Sequence, residues 1–106
     1  MKNIEQFQRE VDEWTSQFDP QYWPPHEMMT RLMEETGELA REINHRFGNK
    51  KKKVGEKDRQ LGDEMADIIF TLACLANSQG ISLAEYMQRV MDKCRARDND
   101  RFGKKK

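Results

Sequence analysis

Hydrophobic residues recur at steps of three and four along most of the chain, a spacing that predicts helices. The first such run begins after Asn3, which is a typical N-cap residue. It ends before the segment DPQYWPP at 19–25, because prolines cannot continue a helix. The apolar positions of this first predicted helix are Ile4, Phe7, Val11, Trp14 and Phe18.

The second predicted helix runs from Pro25, a favourable residue for a first turn, to about Arg46. A charged segment follows at 48–58, GNKKKKVGEKD, which lacks any periodic pattern and is interpreted as a mobile loop. The apolar face of the second helix is predicted to consist of Met28, Met29, Leu32, Thr36, Leu39 and Ile43.

The third predicted helix spans residues 59–78 and stops at Gly80, a common helix-ending residue. Its stretch DIIFTLACLA is apolar nearly all round, which places it at the centre of a bundle or at a subunit interface. Ser82 with Glu85 forms a capping box for a fourth helix. The apolar positions of that helix are Leu83, Tyr86 or Met87, Val90 and Cys94.

These patterns predict an all-α fold, an antiparallel bundle of about four helices. No strand signal, repeat or glycine-rich phosphate loop is present in the sequence. With 106 residues the chain is expected to be one domain, 1–106, with a flexible basic tail from about residue 103. A chain of this size that is 36% charged and 36% hydrophobic has a thin core, so we expect homo-oligomerisation to complete it.

The charge and cysteine patterns exclude several classes of protein. The net charge is zero, which gives no general attraction for nucleic acid, and the KKKK run at 50–53 is interpreted as a solvated loop. Cys74 and Cys94 belong to no CxxC motif and are expected to be reduced core residues. The N-terminal segment is amphipathic and acidic, so we do not expect it to be a signal peptide, and the longest apolar run is about half of a membrane span. We therefore expect a cytoplasmic protein with no membrane partner.

Four glutamates of the second predicted helix lie close together, although like charges four residues apart destabilise a helix. Because successive residues turn by about 100°, three of them follow the border of the apolar face and one points toward solvent. A second acidic pair, one turn apart, flanks the apolar face of the third helix. The border residues are Glu35, Glu38 and Glu42, with Glu34 toward solvent, and the pair on the third helix is Glu64 and Asp67.

A divalent cation would offset the repulsion within such a group. If the second and third helices pack together, two i,i+3 pairs converge on one site. Clusters that offer only oxygen ligands bind hard cations, Mg²⁺ above all, with Mn²⁺ as a possible substitute. The predicted metal ligands are Glu35, Glu38, Glu64 and Asp67.

Other interpretations of these acidic residues remain open at this point. Zinc prefers Cys or His ligands, and helical di-iron sites use two Glu-x-x-His motifs. The chain has one such motif, from Glu42 to His45, so the di-iron reading is weak. The simplest alternative is a pair of solvated helix faces, on which Arg31 and Arg41 neutralise the glutamates.

The motifs EETGE at 34–38, EMAD at 64–67 and LACLA at 72–76, with KCRARDNDRF at 93–102, resemble one family. The chain is similar over residues 25–102 to the MazG-like nucleoside triphosphate pyrophosphohydrolases of the all-α NTP pyrophosphatase superfamily. The resemblance implies cleavage between the α- and β-phosphates, giving a monophosphate and pyrophosphate. It also implies house-cleaning or nucleotide-pool control in the cytoplasm, and dimers or dimers of dimers with sites near subunit contacts.

The resemblance implies the same four acidic residues as Mg²⁺ ligands, with Glu34 as a supporting residue. A carboxylate near the attacking water would act as general base, and we expect Glu38 to take this role, with Glu35 as the other catalytic residue. The family's C-terminal segment carries Lys, Arg and Asn, which implies phosphate contacts here. The corresponding residues are Lys93, Arg97, Asn99 and Arg101, and a solvated helix end is the equally simple alternative for them.

Aromatic residues before the acidic helix are candidates for contact with a base. Trp23 and His26 lie in or next to the proline-bounded segment, and Tyr22 precedes them. Trp14 is expected to pack in the core instead.

Two functions of other classes compete with the enzyme. One is a non-catalytic helical oligomer that keeps the fold and binds a nucleotide or a partner protein, which the presence of all four acidic positions disfavours. The other is a helical nucleic-acid-binding module that uses the basic runs, which the zero net charge disfavours.

Overall fold

A computed structural model describes residues 3–48 and 60–105. Within them the chain forms four α-helices and a short π-helical extension, and no strand, which confirms the all-α prediction. Most of the predicted basic loop lies outside the described residues. The elements are α1 (Ile4–Thr15), α2 (Pro25–Phe47), α3 (Leu61–Ser78) and α4 (Leu83–Lys93), followed by the π-helix Cys94–Asp98.

The helix ends form where short-range chemistry predicts them. The Asn3 side chain accepts a hydrogen bond from the Gln6 amide at 2.8 Å, which caps α1. Helix α3 ends in a Schellman motif, in which the Ile81 amide donates to the Ala76 carbonyl at 2.9 Å. The left-handed conformation that this motif requires is taken by Gly80, with φ of +67°.

The capping box predicted at the start of α4 forms only in part. The Ser82 hydroxyl accepts a hydrogen bond from the Glu85 amide at 3.4 Å, as the motif requires. The Glu85 carboxylate turns instead to Arg89, one turn along the helix, at 3.1 Å. An i,i+4 ion pair has therefore replaced the second half of the box.

Helix α3 lies at the centre of the fold, with its most extensive contact to α2 and a second contact to α1. Its apolar character nearly all round agrees with this central position. Helix α4 departs from α3 with a bend of 112° and has its main helix contact with α1. The antiparallel arrangement therefore does not extend to α4.

A buried glutamine joins α1 to the corner between α3 and α4. The Gln8 side chain donates to the Asn77 side chain and to the Ile81 carbonyl, both at 2.9 Å, and accepts from the Leu83 amide at 2.8 Å. Asn77 returns a hydrogen bond to the Gln8 carbonyl at 3.0 Å. Because its donor and acceptor groups are both engaged, Gln8 fixes α1 on the corner despite its burial.

The core of the described chain is thin, and the face of α2 that packs inward differs from the predicted one. Helix α2 buries one methionine and two glutamates, seven residues apart, while the predicted core residues Met29 and Ile43 stay exposed. The prediction assumed that the most apolar face packs inward, but the carboxylates themselves lie on the packed face. The buried residues of α2 are Met28, Glu35 and Glu42, and the buried apolar residues of the described chain are Val11, Met28, Ala73 and Ala76.

The apolar positions of α4 also remain outside the core. No residue of α4 is buried, and Met87 and Val90 are each 51% exposed. The radius of gyration is 17.4 Å, whereas a compact chain of this length has about 13 Å. No single described helix is long and apolar enough to cross a membrane, although α3 and the segment Leu83–Asp98 meet that criterion as a bent pair.

Candidate functional site

The packing of α2 on α3 brings three carboxylates together. Glu35 comes from α2, and Glu64 and Asp67 come from one turn of α3. One oxygen from each lies within 4.8 Å of the other two. Glu38, the fourth predicted ligand, lies one turn along α2 from Glu35, partly buried and outside this group. The two predicted acidic pairs therefore do face one another, through three of their four members.

Burial makes this cluster electrostatically unusual. The side chains of Glu35 and Glu64 are each only 2% exposed. Arg31 donates to one oxygen of Glu35 at 2.7 Å, whereas the other oxygen, Oε2, is buried and has no hydrogen-bond donor among the described residues. Burial raises the pKa of Glu35, Arg31 opposes this, and the neighbouring carboxylates raise it further.

The donor set of this cluster fits a hard divalent cation. All three side chains offer oxygen, which Mg²⁺ and Mn²⁺ prefer, and no sulfur or imidazole belongs to the group. The buried oxygen Oε2 of Glu35 has no donor among the described residues. One bound cation would satisfy it.

A cavity of about 460 Å³ opens beside the carboxylates. Glu35 and Asp67 lie in its wall, so the cavity and the acidic cluster form one continuous site. Five of its other lining residues are aromatic, and the ring of Trp14 meets those of Phe18 and Phe70 edge to face, with centroids 5.0 and 6.3 Å apart. The lining residues are Trp14, Thr15, Phe18, Pro20, Gln21, Tyr22, Trp23, Met28, Arg31, Glu35, Asp67, Phe70, Thr71 and Cys74.

Of the aromatic residues proposed for base contact, two line this cavity and one does not. Trp23 and Tyr22 line it, whereas His26 is exposed in the first turn of α2 and does not. The prediction that Trp14 packs in the core is wrong: its side chain is 55% exposed and lines the cavity. The segment after α1 folds back along this helix, where Gln21 donates a hydrogen bond to Asp12, and the periodic pattern does not show this.

The four candidates for phosphate contact lie elsewhere in the chain. They occupy the end of α4, the π-helix and the residues after it, and none lines the cavity. Arg97 and Arg101 instead bind Asp98, at 2.9 and 3.4 Å, and the Arg97 hydrogen bond lowers the pKa of Asp98. The candidates are Lys93, Arg97, Asn99 and Arg101. Within one chain, the structure does not bring them to the acidic cluster.

Several cavity residues are not predicted as site residues by the sequence. Arg31 enters the sequence analysis only as a neutralising partner, although its position four residues before Glu35 is a usable signal. Phe70 and Thr71 lie within the apolar stretch of α3 and carry no local signal of their own. Cys74, expected in the core, is half-buried in the cavity wall, and burial raises the pKa of its thiol.

Comparison with known proteins places this site in a family. Residues 24–102 match the family model of the MazG nucleotide pyrophosphohydrolase domain. The uncharacterized protein YpjD of Bacillus subtilis (strain 168) is 50% identical over 104 residues, which is 98% of this chain and 94% of YpjD. The uncharacterized protein YvdC of the same organism is 31% identical over 94 residues, covering 79% of this chain and 89% of YvdC.

Two crystal structures are similar in fold as well as in sequence. The structure of YpjD from Bacillus subtilis superposes with a TM-score of 0.78 at 50% identity, covering 88% of this chain and 95% of that one. The Bacillus-conserved MazG protein, a nucleotide pyrophosphohydrolase, gives a TM-score of 0.78 at 40% identity, covering 94% and 97%. The family match spans α2 and α3, which carry the acidic motifs, and also α4. The chain therefore belongs to the MazG family of nucleotide pyrophosphohydrolase enzymes.

Proposed function

We propose that this enzyme is a Mg²⁺-dependent pyrophosphohydrolase of nucleoside triphosphates. It would hydrolyse an NTP or dNTP between the α- and β-phosphates, giving the monophosphate and pyrophosphate. The observation that carries the proposal is the continuity of a buried carboxylate cluster with an aromatic cavity. Together they provide one end suited to charged phosphates through a cation and another suited to a flat base.

The acidic end of the site is proposed to hold the metal. Glu35, Glu64 and Asp67 would be ligands, and Glu38, next to them on α2, would complete the set. When bound, Mg²⁺ neutralises phosphate charge and lowers the pKa of a coordinated water, and Mn²⁺ is a possible substitute. Glu38 is partly exposed beside the cluster, and we assign it as the general base with Glu35 as the second catalytic residue.

The aromatic end of the site is proposed to hold the base. Trp23, Trp14 and Phe70 offer ring faces and edges, and stacking on aromatic side chains accepts any base. We assign base contact to Trp23 rather than to His26, because Trp23 lines the cavity and His26 does not. Arg31, which lines the cavity and binds Glu35, is placed to meet a phosphate group as well as this carboxylate.

The site is proposed to be completed by homo-oligomerisation, as a homodimer or homotetramer. One side of α2, away from its buried face, carries two pairs of exposed apolar residues, and the members of each pair are four residues apart. The cations of the C-terminal segment lie outside the cavity of their own chain, so a neighbouring copy is the source we propose for the phosphate contacts from Lys93, Arg97, Asn99 and Arg101. The exposed apolar residues of α2 include Met29, Met33, Ile43 and Phe47.

A substrate panel tests this function. Purified protein is incubated with each NTP and dNTP, with Mg²⁺ or with EDTA, and pyrophosphate and monophosphate are quantified. Mg²⁺-dependent release of both products in equal amounts supports the proposal, and release of orthophosphate would assign the cleavage to another bond. Nucleotide binding without turnover would favour the non-catalytic alternative. An active enzyme of this kind is suited to house-cleaning or to nucleotide-pool control in the cytoplasm.

A further inference from the structure

One carboxylate of α1 collects the hydrogen bonds of the chain segment that follows the helix. The phenol of Tyr22 donates to the Asp12 carboxylate at 2.6 Å, and the amide of Gln21 donates to the same oxygen at 3.1 Å. The Gln21 amide also reaches the Asp12 backbone carbonyl at 3.1 Å and the Thr15 hydroxyl at 3.3 Å. Two adjacent side chains are thus tied to one turn of α1.

The tied segment, residues 16–24, forms one wall of the aromatic cavity. It has no regular helix or strand, so its position depends on side-chain contacts rather than on a backbone hydrogen-bond ladder. Gln21, Tyr22 and Trp23 all line the cavity, whereas Asp12 does not. Asp12 therefore contacts the cavity wall through Gln21 and Tyr22, without lining the cavity itself.

We propose that Asp12 is a positioning residue for the substrate, which holds residues 16–24 in place as the wall of the base site. This inference rests on the proposed function. Hydrogen bonds to a charged carboxylate are stronger than neutral ones, and the Tyr22 bond is short. If the wall is already ordered before binding, no binding free energy is lost in ordering it. The acidic cluster on α2 and α3 lies outside this network of hydrogen bonds.

The test combines kinetics with the fluorescence of Trp23. The chain has two tryptophans, Trp14 and Trp23, and both line the cavity. In a Trp14→Phe background, Trp23 is the single reporter of the segment. Acrylamide quenching of its emission is measured without nucleotide, and kcat and KM are measured in the unmodified background with the best substrate of the panel.

Two variants remove the hydrogen bonds, and one variant serves as control. Asp12→Ala removes the acceptor, and we expect KM to rise about tenfold with kcat little changed. Tyr22→Phe removes one donor and should give about a threefold rise in KM. Glu13→Gln is the matched control, because Glu13 is exposed beside Asp12 and its carboxylate takes no hydrogen bond from the segment.

Increased quenching of Trp23 and a raised KM in Asp12→Ala, with neither in Glu13→Gln, support the proposal. Unchanged quenching, or a loss of kcat at constant KM, overturns it. If the wild type hydrolyses no nucleoside triphosphate, the proposed function is wrong, and the quenching of Trp23 still decides whether Asp12 positions the segment. Circular dichroism shows whether Asp12→Ala is folded, and Tyr22→Phe decides the matter if it is not.

Discussion

Carboxylate oxygens of Glu35 and Glu64 lie within 4.8 Å of each other, although each side chain is only 2% exposed. Two like charges taken out of water at this distance repel and lose hydration. The Arg31 contact reaches one oxygen of Glu35 and is itself half exposed, so it offsets only part of this cost. A bound cation would offset this repulsion, and that effect makes the proposed metal site testable.

Removing a proposed ligand should abolish most activity and leave the helices folded. Glu64→Gln and Asp67→Asn keep the volume of the side chain and remove its charge, so we expect kcat/KM to fall by about a hundredfold or more. The kcat/KM of Glu35→Gln should fall by as much. Pyrophosphate release at saturating Mg²⁺ is the measurement, with circular dichroism as the check on folding.

Glu42→Gln is the matched control for this experiment. Glu42 is buried on the same face of α2, near Arg46, but it lies outside the carboxylate cluster. We expect its variant to lose far less activity than the cluster variants. Near-normal turnover in the Glu64 or Asp67 variant, or equal losses in the Glu42 variant, would contradict the ligand assignment.

Neutralising Glu35 should stabilise the metal-free protein. The pKa of Glu35 is raised chiefly by burial, so its charged form is disfavoured in the native state. Glu35→Gln removes this desolvation cost and the repulsion from Glu64 and Asp67, but it also removes the ion pair with the half-exposed Arg31. We expect the melting temperature without metal to rise by a few degrees, on the order of 5 °C for each kcal/mol gained.

The same variant should lose the stabilisation that metal gives. Wild-type protein should melt higher when Mg²⁺ or Mn²⁺ is added at fixed ionic strength, by about 2.7 kcal/mol at a hundredfold excess over Kd. If Glu35 is instead only a partner of Arg31, Glu35→Gln lowers the melting temperature without metal, and Mg²⁺ has no effect on either protein. Repeating the melts with a non-hydrolysable triphosphate detects a metal that binds only with nucleotide.

The helices could be predicted from the sequence because their ends depend on neighbouring residues. Asn3 caps α1, Pro25 begins α2 and Gly80 ends α3 through contacts within a few positions. Spacing also predicted that the acidic pairs of α2 and α3 would face each other, because an i,i+3 pair lies on one side of a helix. These predictions needed no knowledge of tertiary structure.

The neighbouring residues could not predict which helix face packs inward or where the cavity lies. The rule that apolar faces pack inward fails on α2, where Glu35 is buried and the predicted core residue Met29 is 49% exposed. The cavity depends on contacts that helical periodicity does not predict. One example is the hydrogen bond from Tyr22, which lies outside the helices, to Asp12 of α1. Trp14 looks like a core residue in the periodic pattern, because the pattern does not show how the segment after α1 folds back.

Alkaline pH should weaken the attachment of residues 16–24 to α1. Burial and the hydrogen bond to Asp12 raise the pKa of the Tyr22 phenol, against lowering by Thr15 and Asn77. With a raised native pKa, the stabilising contribution is complete below the ordinary value near 10 and is lost as pH rises through the native pKa. We expect Tyr22→Phe to flatten the fall of unfolding free energy between about pH 9 and pH 11.

The control for this titration is the second tyrosine of the chain. Tyr86 is exposed on α4 and faces Arg89, away from this segment. Urea unfolding of Tyr86→Phe at the same pH values should follow the wild type. A Tyr22→Phe protein whose stability falls as steeply as the wild type would show that the hydrogen bond to Asp12 contributes nothing to the pH dependence.

The exposed apolar side of α2 should form contacts between copies of the chain. Light scattering at micromolar concentration should give a dimer or a tetramer, since this side and α4 leave apolar surface uncovered in a single chain. A charge at Met33 or Ile43 would be desolvated in such a contact, so Met33→Glu and Ile43→Glu should shift the mass toward the monomer. Thr30→Glu introduces the same charge on another side of α2 and should leave the mass unchanged.

If the C-terminal cations act on a neighbouring copy, the monomeric variants should also lose most turnover while keeping the Mg²⁺-dependent rise in melting temperature. A wild-type protein that is a monomer and fully active would contradict both the assembly and the shared site.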